Sequence, residues 1–157
     1  MAETLIQAIK VELAQLDLLL ATYADLIDRV QQQSPDVVEL AALATVLHSY
    51  YNGAESIFLA VARHLDLQLP EGTRWHRELL AQVARPTTTR PALLSSSLET
   101  RLTVYLAFRH YFRHSYAFTL DWARLEPLVR DLPLVHAMLR EELEAFLSLL
   151  TRQPDES

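Results

Sequence analysis

Apolar side chains recur every three or four residues along nearly the whole chain. Ile6, Ile9, Leu13, Leu16, Leu20, Tyr23, Ile27 and Val30 form the first such series. That spacing predicts one long amphipathic helix with a heptad seam. Ser34 and Pro35 come next. Serine suits an N-cap and proline the first helical turn, so a second helix is expected to open there. Its series is Val37, Leu40, Ala44, Leu47, Tyr51, Ala54, Phe58, Val61 and Leu65. Gly53 lies inside it. A mid-helix glycine costs up to about 1 kcal/mol against alanine, so it marks close approach of a neighbour or a ligand. Tight helix packing is the simpler of the two.

Pro70-Glu71-Gly72 breaks the pattern, and Thr73 is placed to cap a short third helix carrying Trp75, Leu79, Leu80 and Val83. Residues 85–95 hold two prolines and a threonine run, which read as a loop. Ser96 and Glu99 have capping-box spacing and open a fourth helix with Leu98, Leu102, Tyr105, Arg109 and Phe112 on its core face. That helix should weaken near 114–121. Asp121 can cap a short turn at Trp122, and Pro127 and Pro133 punctuate the next stretch. The last helix is expected over about 134–151, with Val135, Leu139, Glu142, Phe146 and Leu149 in register and Met138, Leu143, Leu147 and Leu150 alongside. No period-two alternation, internal repeat or low-complexity tract is present. The expected fold is all-α, an up-down bundle of four to six helices, forming one domain over 1–152 with a frayed tail at 153–157.

Length and composition agree with one ordered domain: 157 residues, half of them apolar. The chain has no cysteine, which excludes disulfides, thiolate metal sites and a cysteine nucleophile, and fits a reducing cytosol. Its two glycines are too few for a Walker A loop or a dinucleotide fingerprint. Residues 1–30 carry Glu3, Lys10, Glu12, Asp17, Asp25, Asp28 and Arg29. Neither a signal peptide nor a membrane span is expected, since both need an uncharged apolar stretch.

Net charge is −6, so wholesale electrostatic binding to nucleic acid is not expected. Residues 101–120 depart from that balance. They hold Arg101, Arg109 and Arg113 and no acidic residue, with His110, His114, Tyr105, Tyr111, Phe112, Tyr116 and Phe118. Cations and aromatic faces together suit single-stranded RNA, through phosphates and base stacking. The plainer alternative is an aromatic core edge fringed by solvated arginines. Arg109 stands at a core-spaced position, and an unpartnered buried guanidinium is costly. It should therefore face a cleft, a carboxylate or a partner subunit. On an ideal helix Arg109, Arg113 and Tyr116 fall within about 60°, whereas His114 lies about 140° from Arg109. The two can serve one phosphate only if the helix ends between them or a second subunit completes the site.

Arg109, four intervening residues, His114, Ser115 and Tyr116 resemble the Arg-x4-His-x-Tyr signature of the HepT-type ribonuclease toxins of the HEPN superfamily. Tyr51-Asn52-Gly53-Ala54-Glu55, Pro70-Glu71-Gly72 with Trp75-His76, and Leu120-Asp121-Trp122 extend the resemblance over about 35–150. It implies a type II-like toxin–antitoxin component. Such a protein is a homodimer whose interface brings two motif copies into one cleft. It cleaves RNA without metal or other cofactor, with tRNA or mRNA as substrate. A minimal nucleotidyltransferase antitoxin neutralises it and can AMPylate the motif tyrosine, here Tyr116. The alternative within the superfamily is a non-catalytic HEPN module that binds a nucleotide or the nucleotidyltransferase.

The residue chemistry is compatible. His114 can exchange a proton near neutrality and Arg109 can hold a phosphate. Arg113 is a second cation for RNA, and His110 can support His114 or bind RNA. The resemblance implies that Asn52 and Glu55 line the cleft and orient the motif, with Glu55 able to pair with Arg109 or to sit in an ordinary internal salt bridge. His110-x3-His114 has metal-ligand spacing, but no His-Glu-x-x-His and no nearby carboxylate accompany it. His48, His64, His76 and His136 read as structural or surface residues. A phosphotransfer bundle is disfavoured because the single lysine, Lys10, lies far from every candidate histidine in sequence. A purely structural bundle would leave the cations of 101–120 unexplained.

Overall fold

A computed structural model describes residues 2–116 and 119–152. Among these residues every regular element is helical. Helix α1 spans Ala2–Thr22 and α2 spans Ala24–Arg29. The expected single helix is thus interrupted at Tyr23. Thr22 turns its hydroxyl back onto the Leu18 carbonyl at 2.7 Å, a bond that competes with the helical ladder.

Helix α3 spans Val37–Val61 and continues into a π-turn at Ala62–Asp66. Its N-cap is Asp36, not Ser34. The Asp36 side chain accepts from Glu39 N–H at 2.8 Å, and Glu39 accepts from Asp36 N–H at 3.1 Å. This reciprocal pair needs an acidic or amide side chain three residues on, which Asp36 has and Ser34, facing Val37, lacks. Helix α4 spans Trp75–Val83, and Arg74, not Thr73, holds the cap position without a side-chain cap bond. Gly72 before it takes φ +96°, a conformation costly for other residues.

Helix α5 spans Ser96–Arg113. Ser95 caps it, one residue before the expected box, accepting from Leu98 N–H at 3.1 Å. Glu99 pairs instead with Arg85. Helix α6 runs unbroken over Trp122–Arg152 with both prolines inside, which overturns the expected late start at 134. Asp121 caps it through Ala123 N–H. Each proline removes one ladder bond, yet both rings face outward while Leu125, Leu128, Val129, Leu132 and Val135 bury the opposite face. Packing decides the helix over local propensity. Tyr105 Oη also donates to the Leu128 carbonyl at 2.7 Å, on the stretch between the prolines.

The centre of the bundle is α3, which packs against α1, α4, α5 and α6. Tyr50, Tyr51, Ile57 and Phe58 on it are fully buried. A Cβ at Gly53 would lie 2.6 Å from Leu16 Cδ2, so the glycine admits α1 and the packing alternative holds. Along α6 the core positions are Leu139, Leu143, Phe146 and Leu147; Leu149 is exposed, and Glu142 accepts from Ser95 instead. His136 is buried, with Tyr50 Oη at 3.0 Å and Asp17 at 2.6 Å, and ties α6 to α3 and α1.

The loop between α4 and α5 is held by an ion pair that the linear pattern does not announce. Arg90 places Nε 2.7 Å from Asp66 Oδ1 and Nη2 2.8 Å from Oδ2. Its remaining N–H groups reach the carbonyls of Arg85, Pro91 and Gln82. No described helix is long and apolar enough to cross a membrane.

Candidate functional site

Arg109 is half-buried on α5 and faces α3. Its Nε donates to Asn52 Oδ1 at 2.7 Å. With that oxygen taken, the Asn52 amide donates to His48 Nδ1 at 3.3 Å. His48 in turn packs on the Phe112 ring, centroids 5.0 Å apart. Burial, then the charges of Arg109 and Arg113, lower the His48 pKa, which keeps the ring a neutral acceptor. This chain fixes the guanidinium at the expense of one of its donors and leaves the others for a ligand.

Those donors border a cleft of about 540 Å3 lined by Thr73, Arg74, His76, Arg77, Thr103, Leu106, Ala107, Arg109, His110 and Arg124. Four arginines and two histidines line it, and no acidic residue does. The cations come from α4, its preceding loop, α5 and α6. Arg124 is further held over the Tyr111 ring at 3.9 Å, a cation–π contact. A concave surface of this sign attracts anions by Coulomb's law, even in an acidic chain.

Glu55 sits beneath and is 6% exposed. It does not pair with Arg109, which corrects one of the two expectations for it. It accepts instead from His76 Nδ1 at 2.8 Å. The expectation failed because it considered only cations on α5, while α4 also packs on α3 and presents His76 to the same carboxylate. His76 is therefore no incidental surface residue. Its ring packs on Trp75 with centroids 3.6 Å apart and planes tilted by 30°, and it lines the cleft.

The motif is divided by the end of its helix. Helix α5 stops at Arg113 and His114 takes the C-cap position with φ −110° and ψ 10°. The ideal-helix geometry therefore holds for Arg109 and Arg113 alone, and Tyr116 lies beyond it. His110 and His114 pack together, ring centroids 4.6 Å apart, which fits His110 as support for His114. Arg113 and His114 are exposed and lie outside the cleft lining, and Tyr116 is 73% exposed. Ser115 Oγ donates to the Tyr111 carbonyl at 2.7 Å and holds the turn. Phe118, one of the aromatic candidates, and the tail 153–157 lie outside the described residues. Arg101 borders a different hollow, with Val104, Pro127 and Asp131.

Asn52 borders a second groove of about 480 Å3 between α1 and α3, with Leu16, Leu19, Tyr23, Gly53 and Ser56. Among the described residues no cluster of three or more His, Asp or Glu side chains has a metal-binding arrangement. Sequence reasoning did not single out Arg74, His76, Arg77 and Arg124 as site residues. The signal was present in Arg74-Trp75-His76-Arg77, a basic aromatic run without an acid.

A comparison with family models matches residues 42–150 to one described as HepT-like protein. Comparisons with curated proteins and with solved structures found no match. The matched span runs from α3 through α6 and so contains Asn52, Glu55, the arginine-lined cleft and the whole Arg109-to-Tyr116 motif. The chain therefore belongs to the HepT-like family and is a protein of the HEPN type.

Proposed function

We propose that this protein is a metal-independent endoribonuclease, the toxin of a two-component pair whose nucleotidyltransferase antitoxin AMPylates Tyr116. The observation that carries the reading is the cleft of four arginines with Arg109 fixed in it by Asn52. RNA offers the matching charge. Arg109 holds the scissile phosphate and stabilises the charge that builds in the transition state. His114, at the freed end of α5, exchanges the proton of the ribose 2′-OH or the leaving 5′-oxygen. The 2′-oxygen attacks the adjacent phosphorus and leaves a 2′,3′-cyclic phosphate. Two protomers that join their motif ends place His114 of one beside Arg109 of the other and double the local positive charge. Tyr116 is accessible to a modifying enzyme. AMP on its hydroxyl adds bulk and negative charge where RNA phosphate approaches.

The test is incubation of purified, partner-free protein with total RNA in EDTA, beside Arg109→Ala and His114→Ala. Cleavage by wild type alone, with cyclic-phosphate ends, is expected. A folded, unmodified dimer that binds RNA or the nucleotidyltransferase and cuts nothing would make this a binding module.

A further inference from the structure

We infer that His76, held by buried Glu55, is a second proton-transfer residue of the same site, the general acid opposite His114; this rests on the ribonuclease reading. Cleavage by 2′-oxygen attack needs two proton movements. The 2′-OH loses a proton as the O2′–P bond forms, and the 5′-oxygen gains one as the P–O5′ bond breaks. One histidine cannot face both oxygens, which stand on opposite sides of the phosphorus, so the second position falls either to the His114 of the other protomer or to a group that lines the cleft beside Arg109. His76 shares the cleft with Arg109, although 33 positions of sequence separate them. Its Nδ1 is committed to the Glu55 carboxylate at 2.8 Å, so Nε2 is the nitrogen left for a substrate. The ring is further fixed by close contact with Trp75, ring centroids 3.6 Å apart and planes tilted by 30°.

A carboxylate buried behind one imidazole nitrogen fixes the ring's orientation and supplies a counter-charge when the ring is protonated. Glu55 is buried and, among the described residues, has His76 as its ion-pair partner. The other charged groups lining the cleft are the guanidinium cations of Arg74 and Arg77 on the α4 side, Arg109 on α5 and Arg124 on α6, with His110 beside them as a further titratable group. The guanidinium groups hold the phosphate, and His76 then delivers its Nε2 proton to the leaving 5′-oxygen. His114 takes the 2′-OH proton. The products are a 2′,3′-cyclic phosphate and a 5′-hydroxyl, and no further reactant is needed. Glu55 acts through His76 and is a positioning residue.

The test uses full-length protein and the linkage first mapped in total RNA. That linkage is synthesised in an oligoribonucleotide once with its normal 5′-oxygen and once with a 5′-bridging sulfur, which leaves as a thiolate without a proton. His76→Gln, which keeps an N–H donor for Glu55, should lower kcat on the oxygen linkage by about 100-fold or more at nearly unchanged KM. On the sulfur linkage its loss should shrink to less than about tenfold. His114→Gln should stay impaired on both. The double variant His76→Gln/Glu55→Gln leaves no unpaired carboxylate and is the folded comparison, checked by circular dichroism. It should show the same rescue by sulfur. Equal losses on both linkages in these folded variants, or wild-type activity of His76→Gln on the oxygen linkage, would overturn the inference and leave the ribonuclease standing. A folded wild type that cuts neither linkage nor total RNA would overturn both.

Discussion

Arg90→Ala should be among the most damaging single substitutions outside the cleft. The Arg90 side chain is 1% exposed and the Asp66 side chain 5%. Truncation leaves the carboxylate with one partner, Gln82 Nε2 at 2.7 Å. It also strips donors from the carbonyls of Arg85, Pro91 and Gln82. Removing one partner of a buried pair costs about 3–5 kcal/mol. The surviving Gln82 bond argues for the lower end, about 3 kcal/mol. At this chain length each kcal/mol moves the midpoint by about 2–4 °C, so Tm should fall by about 6–12 °C in thermal unfolding followed by circular dichroism. Burial alone would raise the Asp66 pKa, but the hydrogen bonds from Arg90 and Gln82 outweigh it and hold it below the ordinary value. A folded pKa below the unfolded one gives stability that is full above about pH 4 and lost as the pH falls through the folded value. Wild type and variant should therefore converge in acid. Asp66→Leu/Arg90→Met should recover much of the stability, since no lone charge is then buried. A cost under about 1 kcal/mol at neutral pH, or a double variant no more stable than the single, would refute the reasoning.

Asn52→Leu should cut RNA cleavage by about 10–150-fold while leaving the fold intact, because a hydrogen bond to a charged group contributes about 1.5–3 kcal/mol; kinetics with a circular dichroism control checks it. Arg74→Ala/Arg77→Ala should weaken RNA binding and lower the slope of log affinity against log salt by about 0.7 for each phosphate no longer neutralised, read by fluorescence anisotropy. His48 has a folded pKa below its unfolded value, so its share of stability falls as pH drops below about 6.5. His48→Phe should flatten that part of the stability–pH curve in denaturant titrations. Coexpression with a minimal nucleotidyltransferase, the partner class proposed above, should add mass increments of AMP to the protein, absent from Tyr116→Phe, by intact-mass spectrometry.

The helical class, the order of the elements and the motif were legible in the sequence. Periodic apolar spacing is a local property, and so is the interval from Arg109 to Tyr116. The end of α5 near 114 was legible too, because the apolar spacing runs out there. Capping was legible only to within a residue or two: Asp36 and Ser95 took over from Ser34 and Ser96 once the facing side chains were set. The unbroken α6 was not legible, because proline reads as a break until Leu125, Leu128 and Leu132 have a core to enter. The candidate site was half legible. Arg109, His114 and Asn52 stood out in the sequence, yet the Arg109–Asn52 bond joins residues 57 positions apart. That Glu55 meets His76, and that arginines from α4 and α6 share a cleft with Arg109, emerged only from the packing of the helices. Charges distant in sequence are brought together only when α3 gathers the other helices around it, and a linear pattern carries no information about which faces will meet.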